Sequence, residues 1–306
     1  MTLAKLDGRG IVIALISTAT WATAGIFIRW LPGWSPFAIL SGRFLVATIV
    51  LLPVVLSPNI RGEFLFSLRS LSIWGLSLPL IGGFLLGTAA FQIAPVGEIT
   101  LLLSTPPIFV VVYKLLAKVR IRRREGIGTL LAIAGVALIL LPQRSLSPVA
   151  SGTSLQAPAG YLFALSAAAL LAVYTLWFGG LSRRGKTFRS INVVFVTCLL
   201  GCVLSSLCTV LFSNSAEFTG LDQRAIFVLL GLGILPTAMS TLCYTIAAQR
   251  LPAILATAIL LTEPMFAVLF ASILLQEIPT LGFGLGSCFV RGGLLSIASS
   301  TNDASS

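Results

Sequence analysis

Two residues of this chain carry charge where charge is expensive. Glu263 lies ten residues into an apolar run that starts near 253, and Arg43 lies seven residues into one that starts near 36. At 1.5 Å per residue those depths are roughly 15 Å and 10 Å. A charge in the middle of a helix in hydrocarbon costs about 2.5–3.5 kcal/mol on insertion scales, so each position marks a candidate site. A carboxyl there can hold a proton or a substrate amine. An arginine offers a planar fork of donors that fits a carboxylate. Each residue also has a scaffold reading. Glu263 could pair with Arg291, seven residues from the inner end of the last apolar run, and Arg43 with Glu98. Both readings stay open on the sequence.

Four prolines sit inside apolar runs: Pro79, Pro106, Pro236 and Pro264. A proline in a helix interior removes one N–H and frees the carbonyl four residues earlier. Pro106 frees Leu102 and Pro264 frees Leu260. A freed carbonyl in hydrocarbon needs water or another helix, so these kinks either line a path or serve packing. Trp21, Tyr174 and Tyr244 lie deep in their runs and could stack on a ligand or pack between helices. Gln92 joins them as a candidate binding residue. Trp30, Trp34 and Trp74 lie near run ends, as interfacial aromatics do. The pairs Gly83–Gly87 and Gly282–Gly286 have the spacing that lets helix backbones approach closely.

What must position these residues follows from composition. The 306 residues are 57% hydrophobic and 9% charged, whereas a soluble domain carries about 25% charged residues. Too few charges exist to cover a water-facing surface, and disorder needs low hydrophobicity. The class is an all-α polytopic membrane protein. Ten apolar runs can span a bilayer, near 11–29, 36–56, 71–90, 96–116, 126–142, 158–180, 190–212, 224–247, 253–275 and 280–298. With the N-terminus cytoplasmic, 14 of the 20 Lys and Arg fall on the inside and 3 on the outside. That bias places both termini in the cytoplasm of a cell (inner) membrane protein. Ala22-Thr23-Ala24 resembles a leader cleavage site, but the apolar run continues past it and Trp21 is bulky. There is no His, and the five cysteines form no CxxC pair, so no metal site, cofactor or histidine-based catalysis is expected. The net charge of +11 points to cytoplasmic loops and anionic lipid rather than nucleic acid.

The two halves repeat. Pro79 and Pro236 are 157 residues apart, as are Gln92 and Gln249; Pro106 and Pro264 are 158 apart, as are Gly128 and Gly286, and Gly135 and Gly293. The copies cover 1–145 and 146–306, with five spans each. Five is odd, so the second copy crosses the membrane with opposite polarity. Two inverted five-helix repeats are the architecture of carriers that expose one shared site to each side in turn.

The segments "PFAILSGRFLVATIVLLP", with Arg43, and "LLTEPMFAVLFASILLQEIPTLGFGLG", with Glu263, Pro264 and Glu277, resemble the drug/metabolite transporter superfamily. The closest likeness is to its ten-span EamA branch, over nearly the whole chain. The first copy departs from the pattern: Thr105 stands opposite Glu263, and Val119 opposite Glu277. The resemblance implies a secondary transporter exporting a small organic metabolite such as an amino acid, driven by proton exchange or by facilitated exit. Arg43 and Glu263 could hold a zwitterion's two ends. The expected partners are that small molecule and the lipid bilayer, for a monomer or a homodimer. The alternatives are a non-transporting membrane scaffold or sensor and, further off, an intramembrane enzyme.

Overall fold

The computed structural model describes residues 7–94, 96–119, 122–140, 157–183, 188–212, 222–275 and 281–302. Every regular element among them is a helix. Seven are long and apolar enough to cross a membrane: Gly8–Arg29, Pro36–Val55, Leu71–Ile93, Ile99–Leu116, Pro158–Leu181, Ser190–Phe212 and Gln223–Arg250. Ala253–Ala267 and Gly284–Ile297 are shorter apolar helices. The expected division at 145/146, Glu277 and the side chain of Glu98 lie outside the described residues.

The first span is α1 (Gly8–Trp21) followed by α2 (Ala24–Arg29). A turn holding Gly33 at φ +81 leads into α3 (Pro36–Val55). There the Ser35 hydroxyl accepts the Ala38 N–H at 3.2 Å and Pro36 opens the helix, a sequence-coded start. The short α4 (Pro58–Leu68) precedes α5 (Leu71–Ile93). Next come α6 (Val96–Leu103), α7 (Pro106–Leu116) and α8 (Arg123–Leu140). The second half holds α9 (Ala157–Arg183), α10 (Ser190–Phe212), α11 (Gln223–Gly233), α12 (Ser240–Arg250), α13 (Ala253–Ile259), α14 (Glu263–Leu275) and α15 (Leu281–Asn302).

Three of the four prolines break their helices, and neighbouring groups occupy the freed carbonyls. Between α6 and α7, Pro106 cannot serve the Leu102 carbonyl, and the Thr105 hydroxyl donates to it at 2.6 Å. Between α11 and α12 the chain makes a π-helical turn, Ile234–Met239. Pro236 frees the Leu232 carbonyl there, and the Thr237 hydroxyl donates to it at 2.6 Å. Between α13 and α14 a 3₁₀ turn, Leu260–Thr262, lets the Glu263 N–H reach the Leu260 carbonyl. Pro79 stays within α5.

Apolar side chains fill the core and also face outward. On α3, Leu45, Ile49, Leu52 and Leu56 are exposed at helical spacing, and on α10 so are Val203, Leu207 and Val210. These stripes are the lipid-facing surface of a membrane protein. Several buried Ser and Thr bond to their own helices, as Thr197 does with the Val193 carbonyl at 2.9 Å and Thr209 with that of Ser205 at 2.8 Å. α3 packs along α10, α5 along α9, α1 along α12 and α8 along α15. In the last pair the backbones nearly touch. A Cβ built on Gly128 would lie 2.7 Å from the Gly293 carbonyl oxygen, and one on Gly135 would lie 2.6 Å from that of Gly286. Those two meetings make α8 and α15 antiparallel.

One end of the bundle carries ion pairs between early and late helices. Arg250 donates to Asp7 at 3.0 Å, and Arg189 pairs with Glu63. Lys114 pairs with the buried Glu125 at 2.8 Å. The Arg250 hydrogen bond holds the Asp7 carboxyl below its usual range. A depressed folded-state pKa stabilises the protein above the unfolded value of 3.8, and that gain is lost as pH falls through the lowered value. Asp7 also caps α1 through the Arg9 N–H at 3.1 Å, a role Asn fills equally well. Asp7→Asn is therefore expected to lower the thermal midpoint slightly at neutral pH. Midpoints measured well below pH 3.8 should coincide with the parent.

Candidate functional site

A cavity of about 100 Å³ opens among α1, α2, α3, α5, α9 and the broken span α13–α14. One water needs about 10–15 Å³ on this measure, so the space admits a small organic molecule. It follows α5 from Pro79 to Phe91, about 18 Å at the helical rise. Its wall is mostly apolar, with Trp21, Phe84 and Phe91 as the large surfaces. Gly83 and Gly87, read from the sequence as packing positions, also line it and make room. Two charged side chains reach it: Arg43 and Glu263.

Arg43 is 2% exposed. Its Nε donates to the Thr237 hydroxyl at 2.8 Å, with longer contacts from Nη1 to Thr88 and from Nη2 to the Pro236 carbonyl, both 3.4 Å. The guanidinium carbon stands 4.6 Å from the centre of the Phe84 ring, a cation–π contact. The proline break in the other half thus positions this arginine: Pro236 bends the chain, Thr237 fills the gap, and the same hydroxyl accepts from Arg43. No carboxylate pairs with Arg43 among the described residues. Five donors against three acceptors leave part of the fork unspent.

Glu263 opens α14, directly after the 3₁₀ turn, and reaches the same cavity. The expected pairing with Arg291 does not occur. Arg291 is exposed on α15, and no ion pair joins the two. The turn that breaks the span sends Glu263 inward, while α15 presents Arg291 outward.

The other candidates separate. Trp21 and Pro79 line the cavity with Arg43 and Glu263. Tyr174 and Tyr244 do not. Both are wholly buried, and their hydroxyls meet Thr245 at 2.8 Å and Thr175 at 2.6 Å, a reciprocal lock between α9 and α12. Gln92 donates to the Trp34 carbonyl at 2.7 Å. Its counterpart Gln249 does the same to Phe188 at 2.6 Å. Each clamps the entry of another helix. Pro106, Pro236 and Pro264 lie at the breaks themselves. Sequence reasoning missed Phe84 and Thr237. A threonine beside a helix-interior proline was a legible signal for Thr237; Phe84 had none.

The model of the EamA-like transporter family matches residues 8–141 and again 158–299. The chain belongs to the EamA-like transporter family. An uncharacterized transporter of Clostridium kluyveri is 23% identical over 307 residues, covering 96% of this chain and 93% of that one. The uncharacterized inner membrane transporter YedA of Escherichia coli K12 is 29% identical over 123 residues, 39% of each chain. A protein of known crystal structure superposes with a TM-score of 0.74 over 94% of this chain and 95% of its own, at 20% identity; it shares the fold. This EamA-like protein is a membrane transporter whose cavity brings an arginine and a glutamate to one apolar chamber.

Proposed function

We propose that the chain is a secondary transporter of ten membrane spans, built as two inverted five-helix repeats over 1–145 and 146–306, that exports a small organic metabolite such as an amino acid by alternating access. Both termini face the cytoplasm across the cell membrane. The cavity holding Arg43 and Glu263 carries the reading. It lies at the level of the helix breaks, where a carrier keeps its cargo site. Arg43 suits a carboxylate, Glu263 an amine or a proton, and Trp21 and Phe84 the apolar body.

The packing supports the repeat. Exchanging the halves turns the α3–α10 and α8–α15 pairings into themselves and the α5–α9 pairing into α12–α1. It turns the contact between Gly128 and Gly293 into that between Gly286 and Gly135. It also turns the Gln92 clamp into the Gln249 clamp. The family model matching twice points the same way.

The test is flux in proteoliposomes across a panel of small metabolites, preselected by the rise each gives in thermal midpoint. Glu263→Gln is expected to cut flux of the selected cargo by about 10- to 100-fold, the worth of one hydrogen bond to a charged group. The thermal midpoint should hold. Full flux in Glu263→Gln would remove this acid from the site, and no flux of any cargo above empty liposomes would defeat the transporter reading.

A further inference from the structure

We propose that the opposite-facing form of the cavity is lined by one face of the π-helical turn and α12: Thr237, Ser240, Thr241, Tyr244, Thr245 and Ala248. The inference rests on the alternating-access reading above and names the binding surface of the state not seen. The α5 face that lines the present cavity is Leu80, Gly83, Phe84, Gly87, Thr88 and Phe91. The 157-residue offset set by Pro79 with Pro236 and by Gln92 with Gln249 carries these six, in order, onto the α12 face. When two inverted halves exchange conformations, each adopts the present arrangement of the other. The α12 face then becomes a cavity wall, open at the end where Arg250 meets Asp7.

The state of that face fits a closed pathway. Each of the six is at most 2% exposed. Five of them carry hydroxyls in a protein of 57% hydrophobic residues. The Tyr244–Thr175 and Thr245–Tyr174 bonds join side chains only, so water or cargo can replace them without unwinding a helix. The Thr241 hydroxyl is buried and has no partner among the described residues. An unmet buried hydroxyl costs about 1–3 kcal/mol, and a wet, open state relieves that cost. Trp21 forms the partition. Its ring lies 6.4 Å from Phe84 on the cavity side and 5.2 Å from Tyr244 on the closed side. The two walls differ in chemistry. Where the present one offers Phe84 and Phe91, the other offers Thr241 and Ala248, with Tyr244 in place of Gly87. The second state therefore holds a small organic molecule chiefly by hydrogen bonds to its polar groups, with Tyr244 as the one ring on that face. Tyr244, which does not line the present cavity, acts there.

The test is thiol labelling in a chain whose five cysteines are replaced by alanine or serine. Single variants Thr241→Cys and Ala248→Cys, and their counterparts Phe84→Cys and Phe91→Cys, are exposed to a membrane-impermeant methanethiosulfonate in right-side-out and inside-out vesicles. Phe84→Cys and Phe91→Cys should react from one side, Thr241→Cys and Ala248→Cys from the other. The second pair should react about 10- to 1000-fold more slowly than a free thiol, in proportion to the minor state's population. Ala248→Cys adds only a sulfur, which keeps the test readable if Thr241→Cys misfolds. Silence of the α12 pair from both sides, with the α5 pair reactive, overturns this proposal and leaves the transporter reading intact. Reaction of all four from one side, or of none, overturns the alternating-access reading and this proposal with it.

Discussion

Arg43→Met is expected to abolish saturable transport while leaving the protein at least as stable as its parent. The two halves of that statement have separate causes. Losing a charged donor from a buried contact to a charged ligand costs about 2–5 kcal/mol, or roughly 30- to 5000-fold in affinity. Stability moves the other way. Arg43 is buried with hydroxyls and a carbonyl around it and no carboxylate among the described residues. Such a cation has surrendered its hydration without an opposite charge in return. Replacing buried charge by an apolar side chain of similar length is commonly neutral or stabilising, by up to about 4 kcal/mol. Two of the three acceptors also keep another partner, and the third, the Thr88 hydroxyl, loses only a long 3.4 Å contact. The Thr237 hydroxyl still donates to the Leu232 carbonyl, and the Pro236 carbonyl still receives the Ser240 hydroxyl at 2.7 Å. Purified protein melted with and without cargo, beside flux in proteoliposomes, reads both quantities. A fall in melting temperature with transport retained would make Arg43 a scaffold residue.

Legibility in the sequence followed the range of the physics. The helical class and most span positions were readable because hydropathy is local. Pro106, Pro236 and Pro264 announced helix breaks, whereas Pro79 stays within its helix. The internal repeat was readable because it needs only offsets. What pairs with what was not readable. Glu263 and Arg291 have depths only about 5 Å apart when counted along the sequence, yet a 3₁₀ turn and the outward face of α15 separate them, and depth says nothing of azimuth. The same limit hid Phe84 beneath Arg43 and the Thr237 hydroxyl on its Nε. Tyr174 and Tyr244 were legible as deep aromatics, but their reciprocal bonds to Thr245 and Thr175 depend on the register of α9 against α12. Register is a tertiary property that composition does not carry.

The breaks themselves tie stability to function. Each exposes a carbonyl in hydrocarbon, and threonine hydroxyls or a 3₁₀ N–H cover it. A helix repaired by side-chain bonds can bend at low cost, since a hydroxyl can trade one acceptor for another or for water. A straight helix would have to break backbone bonds to do so. The π-helical turn is the best placed of the three, because its Thr237 also accepts from Arg43. Any shift of that turn would move the hydroxyl that holds the Arg43 guanidinium at the cavity.

Gly293→Ala is expected to destabilise the fold by about 1–3 kcal/mol or more, the usual range for overpacking a tight contact. A Cβ at Gly293 would stand 2.4 Å from the Gly128 carbonyl oxygen and 2.7 Å from both the Ala132 N and Cβ. Two of these are backbone atoms, which no rotamer change can move, so α8 and α15 would have to separate along their length. Gly284→Ala supplies the control on the same helix. Nothing lies within 4 Å of a Cβ there, and Ala is favoured over Gly in a helix by about 1 kcal/mol. It should melt at or above the parent temperature. Gly128→Ala should resemble Gly293→Ala, since its Cβ would meet the Gly293 carbonyl at 2.7 Å. The double variant should cost less than the sum, because one separation relieves both clashes. Equal melting temperatures for Gly293→Ala and Gly284→Ala would mean that α8 and α15 do not meet backbone to backbone, and the proposed repeat would lose the support of that contact.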